Sequence, residues 1–324
     1  MNTSRYDDET FFEKYGQMDR SRLGLAGAGE WETLETLLPD FSGRRVLDLG
    51  CGYGCIYAAE HGAASVTGVD LSEKMLAVAR EKTRLPQVTY LRGDMAEIAF
   101  PPDSFDVVLS SLAIHYLPSF GDFLDRVRRC LVPGGDFVFS VEHPIFTAAG
   151  PQDWYYGPDG TPLHFPVDRY FEEGQRTARF LGEDVVKYHH TLTTYLDGLL
   201  AGGFELLRVV EPQPPARMLG QPGMRDELRR PMMLLVSARK RTALILDDPS
   251  AVAFPGPEHA MGFADPGRRR MAFPFPRHGR RHGSWRRRWV RPHAERFHAS
   301  LTDGGDPPPA ERSIVSFVDN IVTQ

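Results

Sequence analysis

The sequence holds 324 residues, 41% of them hydrophobic and 25% charged, the balance of a globular protein with room for one or two hydrophobic cores. No run approaches the roughly eighteen apolar residues of a membrane span, and the opening "MNTSRYDDETFFEKYGQ" lacks the apolar region of a secretory signal, so a cytoplasmic location is expected. Three cysteines, Cys51, Cys55 and Cys130, are too few for a disulfide framework, and with no third cysteine close by the first two point to no metal centre.

Charge divides the chain unevenly. Residues 1–241 carry 26 basic and 34 acidic side chains, whereas residues 242–324 carry 12 and 9 and none of the five lysines. That break places a domain boundary at 241/242. In the second part eleven arginines between Arg268 and Arg296 face one acid, Glu295, among His, Pro and Gly. Such a composition buries too little apolar surface to offset chain entropy of roughly 1–2 kcal/mol per residue, and a disordered tail is expected over 242–324.

In chain order, "EWETLETLLPD" sets Trp31, Leu34, Leu37 and Leu38 on one helical face, ended by Pro39. "RRVLDLG" is a buried strand leading into a glycine turn, "SVTGVD" a second strand, and Ser72 a cap for the helix after it. "QVTYLRGD" and "SFDVVLSSL" supply strands three and four. Phe120, Phe123, Leu124, Val127 and Leu131 then recur at the spacing of an amphipathic helix expected to stop at "PGG", 133–135. "DFVFSVE" is the fifth strand. The rhythm lapses over an aromatic-rich insertion, 144–187, before the helix in "TLTTYLDGLLAGGF" and two last strands, "FELLRVVEP" and "PMMLLVSARKR". Strands alternating with helices predict an α/β fold: a doubly wound, seven-stranded, mostly parallel sheet of the Rossmann-like kind, whose last strand has room to insert antiparallel.

The chemistry concentrates at "VLDLGCGYGCIY". Asp48, Gly50, Gly52 and Gly54 follow D-x-G-x-G-x-G. A dinucleotide fingerprint needs its third glycine where Cys55 stands, and a phosphate loop needs a lysine that is missing. Asp48 opposes a pyrophosphate and suits an ammonium; Asp70, about twenty residues on, is placed to accept from ribose hydroxyls. A ligand with a ribose, an amino group and no phosphate points to S-adenosyl-L-methionine.

With these motifs in place, residues 1–241 resemble the class I S-adenosylmethionine-dependent methyltransferases, in particular the bacterial small-molecule group often called type 11. The resemblance implies that Asp48, Gly50, Gly52 and Gly54 shape the cofactor turn, that Asp70 with its neighbour Leu71 holds the ribose, and that Asp94 and Met95 of "RGDM" meet the adenine. It implies that "SSLAIHYL" lies beside the methyl group and that "FFEKYGQMDRSRLGLAGAGEW" caps the site, with Tyr15 and Met18 closing on the cofactor. The turn is about two residues shorter between "GYG" and "CIYAAE" than this resemblance leads one to expect.

Methyl transfer to a hydroxyl needs a base, and His115 and His143, after the fourth and fifth strands, are the candidates, with His189 and His190 behind them. Trp154, Tyr155, Tyr156, Phe165, Tyr170 and Phe171 form either a lid over an apolar acceptor or an insertion packed on itself. No [ND]-P-P-[FYW] stretch follows the fourth strand, which argues against methylation of a nucleobase amine. The expectation is methyl transfer to a small-molecule acceptor. Two rivals remain: a nucleic-acid-directed enzyme or binder using the arginine-rich tail, opposed by the acidic first part, and a cofactor-binding protein without catalysis.

Overall fold

The computed structural model describes residues 4–53 and 56–242. Gly54 and Cys55, and residues 243–324 of the tail expected beyond 241/242, lie outside the described residues.

Five strands run through the first half: β1 (Arg45–Leu49), β2 (Ser65–Asp70), β3 (Val88–Arg92), β4 (Phe105–Ser111) and β5 (Leu131–Glu142). Two short hairpins follow, β6 (Tyr155–Tyr156) with β7 (Pro162–His164) and β8 (Gly174–Phe180) with β9 (Glu183–His189), before β10 (Phe204–Val210) and β11 (Met233–Lys240). The main sheet has the order β10-β11-β5-β4-β1-β2-β3, parallel from β5 to β3, with β11 antiparallel to both its neighbours. The expected seven-stranded sheet is present, and its last strand does insert antiparallel. Central β1 pairs on both sides, Asp48 opposite Gly68 and Leu109, and its Val46, Leu47 and Leu49 have no exposed surface. Apolar residues facing both ways fit a strand covered by helices on each side.

The helices are α1 (Glu9–Gly16), α2 (Asp19–Leu23), α3 (Trp31–Glu35), α4 (Ile56–Glu60), α5 (Glu73–Lys82), α6 (Phe120–Cys130), α7 (Pro144–Thr147) and α8 (Leu192–Ala201). Side chains accepting from backbone N–H groups start several of them: Ser72 from Met75 at 3.2 Å, Ser119 from Asp122 at 3.2 Å and Thr191 from Thr194 at 3.2 Å. Each such cap contributes about 1 kcal/mol. α6 buries Phe120, Phe123, Leu124, Val127 and Cys130 on β4, β5 and α8, at roughly 1.5–3 kcal/mol for each large apolar side chain.

α6 ends at Cys130, earlier than the "PGG" signal implied, because Leu131 already pairs with Phe105 as the start of β5. The glycines instead shape an irregularity inside that strand. Gly134 has φ 78°, and a Cβ on Gly135 would stand 2.8 Å from the Leu131 side chain.

The order reverses between β1 and β4, and such a switch leaves a crevice at the carboxyl ends of the strands. The amino-terminal segment closes over that crevice. Asp7 accepts from Ser72 Oγ at 2.7 Å and from the Lys74 N–H at 3.2 Å, so a carboxylate tethers the segment to the positive end of α5.

Candidate active site

The crevice is a cavity of about 540 Å³. Its floor is the turn after β1, where Gly50 and Gly52 take φ 75° and 52°, a region that side chains other than glycine avoid. The N–H groups of Gly50 and Cys51 donate to the Val69 carbonyl at 2.8 and 3.1 Å, folding the turn back onto β2. A Cβ on Gly50 would lie 2.4 Å from the Ala113 Cβ, so the turn also locks against the residues after β4.

Asp70 stands at the end of β2 between two donors, Gly52 N–H at 2.9 Å on one carboxylate oxygen and Ser72 N–H at 2.8 Å on the other. Burial pushes its pKa up, and those hydrogen bonds offset part of the rise. Leu71, Asp94 and Met95 continue the wall. Asp94 accepts from the Ala96 N–H at 2.9 Å, and Met95 rests on the core beneath α6.

The roof has two parts. From the amino-terminal side come Arg5, Tyr6 and Tyr15; from the β8–β9 hairpin come Asp184, Val185 and Val186. Arg5 and Lys14 join them through Glu183, Arg5 in direct ion contact and Lys14 at 3.5 Å, with Lys14 also donating to the Leu181 carbonyl at 3.2 Å. Tyr6 packs edge to face on Tyr15 at 5.1 Å, and its hydroxyl meets that of Tyr116 at 3.0 Å. Burial above all, and the partner phenol, raise the pKa of Tyr6; burial and then Glu142 raise that of Tyr116. Both hydroxyls keep their protons at neutral pH. They are hydrogen-bond donors.

Of the residues singled out by sequence, Gly50, Gly52, Asp70, Leu71, Asp94, Met95 and Tyr15 converge on this cavity. Asp48 does not. Its side chain faces a second, smaller cavity, and burial, then the nearby Asp70 charge, push its pKa up to about 7.

The two candidate bases lie away from the cavity wall. Neither His115 nor His143 lines the cavity, because each is occupied in the packing behind it. His143 starts α7, its Nδ1 accepting from the Ile145 N–H at 3.1 Å and its Nε2 lying 2.8 Å from Glu211. His115 is wholly buried 4.0 Å from Glu142, and burial pushes its pKa down to about 4, so the ring is neutral. Tyr116, whose ring lies 4.5 Å from that of His115, is the neighbour that reaches the cavity. His189 is held by Thr147 at 2.7 Å and the Tyr170 carbonyl at 2.8 Å, and His190 by the Leu117 carbonyl at 3.0 Å.

Glu142, at the end of β5, is likewise committed. It binds Lys187 Nζ at 2.5 Å and Gln152 Nε2 at 2.5 Å, and Lys187 also donates to Gln152 at 3.0 Å. Burial pulls its pKa up, but Lys187, His115 and these hydrogen bonds outweigh it and hold the carboxylate below its ordinary value. The aromatic insertion packs on itself. Phe146, Trp154 and Phe165 surround the Arg230 guanidinium at 4.5–5.3 Å from their ring centres, and none of them lines the cavity.

Sequence reasoning missed Tyr6, Arg5 and the hairpin residues 184–186. Tyr116 lay within the "SSLAIHYL" motif, where the histidine drew attention from it.

A seven-stranded sheet with β11 antiparallel, a glycine turn at the switch point and an acid ending β2 define a nucleoside-binding transferase fold, and comparisons with known proteins agree. A family profile described as a methyltransferase domain matches residues 47–139. A solved S-adenosylmethionine dependent methyltransferase from Mesorhizobium loti is 46% identical, covering 67% of this chain and 100% of its own, with a TM-score of 0.61. A proposed S-adenosylmethionine dependent methyltransferase from Listeria monocytogenes is 56% identical over 68% of this chain and 100% of its own, with a TM-score of 0.65. The chain belongs to the S-adenosylmethionine-dependent methyltransferases, in the type 11 group, and S-adenosyl-L-methionine is its cofactor. A fatty-acid O-methyltransferase of Mycolicibacterium smegmatis is 31% identical over 152 residues, 43% of this chain and 56% of that relative, so the chain matches only about half of it. Among the described residues no helix is long and apolar enough to cross a membrane.

Proposed function

We propose that the protein transfers the methyl group to a small-molecule acceptor bound under the roof formed by Arg5, Tyr6 and the β8–β9 hairpin. The observation that carries this reading is the pair of roof segments over the cavity. About 540 Å³ beneath two segments joined through Glu183 suits a nucleoside cofactor with a compact acceptor. Three acids on its wall, Asp70, Asp94 and Asp184, against one base, Arg5, oppose a phosphate backbone.

The residues present fit the cofactor. Backbone without Cβ at Gly50 and Gly52 allows close approach, Asp70 offers a fixed carboxylate to ribose hydroxyls, and Asp94 with Met95 provides an acceptor and an apolar surface for the base. When bound, the cofactor supplies an activated methyl on a sulfonium leaving group. The protein's own part is positioning and exclusion of water. Tyr6 and Tyr116 have two hydroxyl protons between them, and one suffices for their mutual hydrogen bond. The other is available to an acceptor oxygen. With neither histidine on the wall, a histidine base forms no part of this account.

Incubating the full chain with the cofactor and panels of fatty acids, phenols and amines, with mass spectrometry of the products, tests the reading. A methylated small molecule is expected. Methyl incorporation into RNA or protein substrates with none into small molecules would overturn it.

A further inference from the structure

The β8–β9 hairpin meets the cavity edge-on. Asp184, Val185 and Val186 are consecutive on β9, and all three line the cavity. Successive side chains of a strand point to opposite faces, and here Val185 is buried whereas Asp184 and Val186 are exposed. Lining by all three therefore means that an edge of the strand, rather than either face, borders the cavity. The other edge pairs with β8, so the cavity meets the free one.

The turn of the hairpin fixes which main-chain groups stand on that edge. Leu181 and Gly182 form a two-residue loop with φ 53° and 76°, both in the left-handed region of a type I′ turn, and Phe180 and Glu183 close it. The closing pair exchanges both of its hydrogen bonds, and the ladder alternates from there. Val185 and Lys187 thus direct their N–H and C=O groups to Ala178 and Arg176 of β8, while Asp184 and Val186 turn theirs outward. Among the described residues, no hydrogen bond from outside the hairpin engages the main chain of residues 184–186. Next to Val186, Lys187 is held by Glu142 at 2.5 Å and Gln152 at 3.0 Å, which fixes this stretch of edge in place.

An outward-turned edge residue pairs with one residue of an incoming strand, donating to its C=O and accepting from its N–H. We propose that Val186 holds the methyl acceptor in this way, and that the acceptor is a small peptide-like molecule carrying an N-acylated amino-acid unit. The inference rests on the reading that the crevice takes a small-molecule acceptor beside the cofactor. A fatty-acid carboxylate has no N–H to give the Val186 carbonyl, and covering that carbonyl without a partner weakens binding. Leu112, Leu117 and Val185 offer the side chain of such a unit an apolar wall.

The full chain, saturated with S-adenosylhomocysteine, is titrated calorimetrically with the N-acetyl N′-methylamides of glycine, leucine and phenylalanine. Each is compared with its 2-acetoxy analogue, in which an oxygen replaces the N–H offered to Val186. At least one amide is expected to bind, about tenfold or more tighter than its ester. Val186→Pro removes the outward N–H without touching the ladder to β8, a position where an edge strand tolerates proline. It weakens the amide about tenfold, whereas Val186→Ala, which keeps the main chain, leaves the preference for amide over ester intact. S-adenosylhomocysteine affinity within about twofold of wild type shows that the proline variant is folded; if it is not, the comparison of amide with ester on the wild type decides alone.

Equal affinity for amide and ester overturns the inference. So does amide binding unchanged in a folded Val186→Pro variant, or no binding of any amide by the S-adenosylhomocysteine-loaded chain. Methylation of some other small molecule would then leave the broader reading standing. No binding of S-adenosylhomocysteine by the folded wild type removes that reading as well.

Discussion

The two halves of the sheet treat their polar residues differently. On the β1–β2–β3 side, Asp70 is fixed by backbone donors with its surface still on the cavity, and Asp48 has no described hydrogen-bond partner. On the β4–β5 side, Glu142, His143, His189 and His190 are taken up by the insertion and by neighbouring loops. A polar residue just beyond a parallel strand is therefore not by position a catalytic group. It becomes one only where nothing else in the fold claims it.

The sharpest break of this comparison is Lys187→Met, which leaves the Glu142 carboxylate buried with Gln152 alone. We expect a loss of roughly 3–5 kcal/mol in urea unfolding. Glu142 paired only for stability predicts that a combined Glu142→Leu/Lys187→Met variant recovers most of it. No recovery would give the pair a further role.

Gly50→Ala comes next. The positive φ and the 2.4 Å approach to the Ala113 Cβ together cost about 2–4 kcal/mol, and adding Ala113→Gly returns the steric share but not the backbone share. Thermal unfolding of the wild type, the single and the double variant separates the two.

Asp48→Asn has an effect that depends on pH. The folded state raises this carboxyl from 3.8 to about 7, so between those values the folded chain holds a proton that the unfolded chain has lost. Wild-type stability from this group therefore falls as pH rises through that window. The variant escapes the fall, and is more stable than wild type by roughly 1–3 kcal/mol above pH 7 but not near pH 4. Melting temperatures across pH check this; a constant difference would contradict it.

The smallest effect belongs to His143→Gln. Loss of an α7 cap costs about 1 kcal/mol, and S-adenosylhomocysteine affinity stays within about twofold. Once an acceptor is in hand, a collapse of methyl transfer in this variant with cofactor affinity intact would restore the base role that the geometry withholds.

Legibility in the sequence follows the same division. The seven strands of the main sheet, α6 and the glycine turn were readable because period and backbone conformation are local properties, visible in Val46–Leu49, in Phe120–Val127 and in D-x-G-x-G. The position of Asp70 at the end of β2 was readable for the same reason. The partners of His143 and His189 were not, since Glu211 lies 68 positions and Thr147 lies 42 positions away along the chain. The Arg230 cage of Phe146, Trp154 and Phe165 was equally hidden, because a cation 65 to 84 positions on decides which way those rings turn. The insertion showed only its aromatic composition, whereas the part of it that lines the cavity is Asp184, Val185 and Val186 of the β8–β9 hairpin.

The central claim is that the cavity at the glycine turn is the cofactor site, with Asp70 its principal anchor. Calorimetric titration of the full wild-type chain and of Asp70→Ala with S-adenosylhomocysteine tests it most directly. The account predicts one site in the wild type and an affinity about tenfold or more weaker in a folded Asp70→Ala variant. Equal affinity in the two proteins, or no binding by the folded wild type, would contradict it.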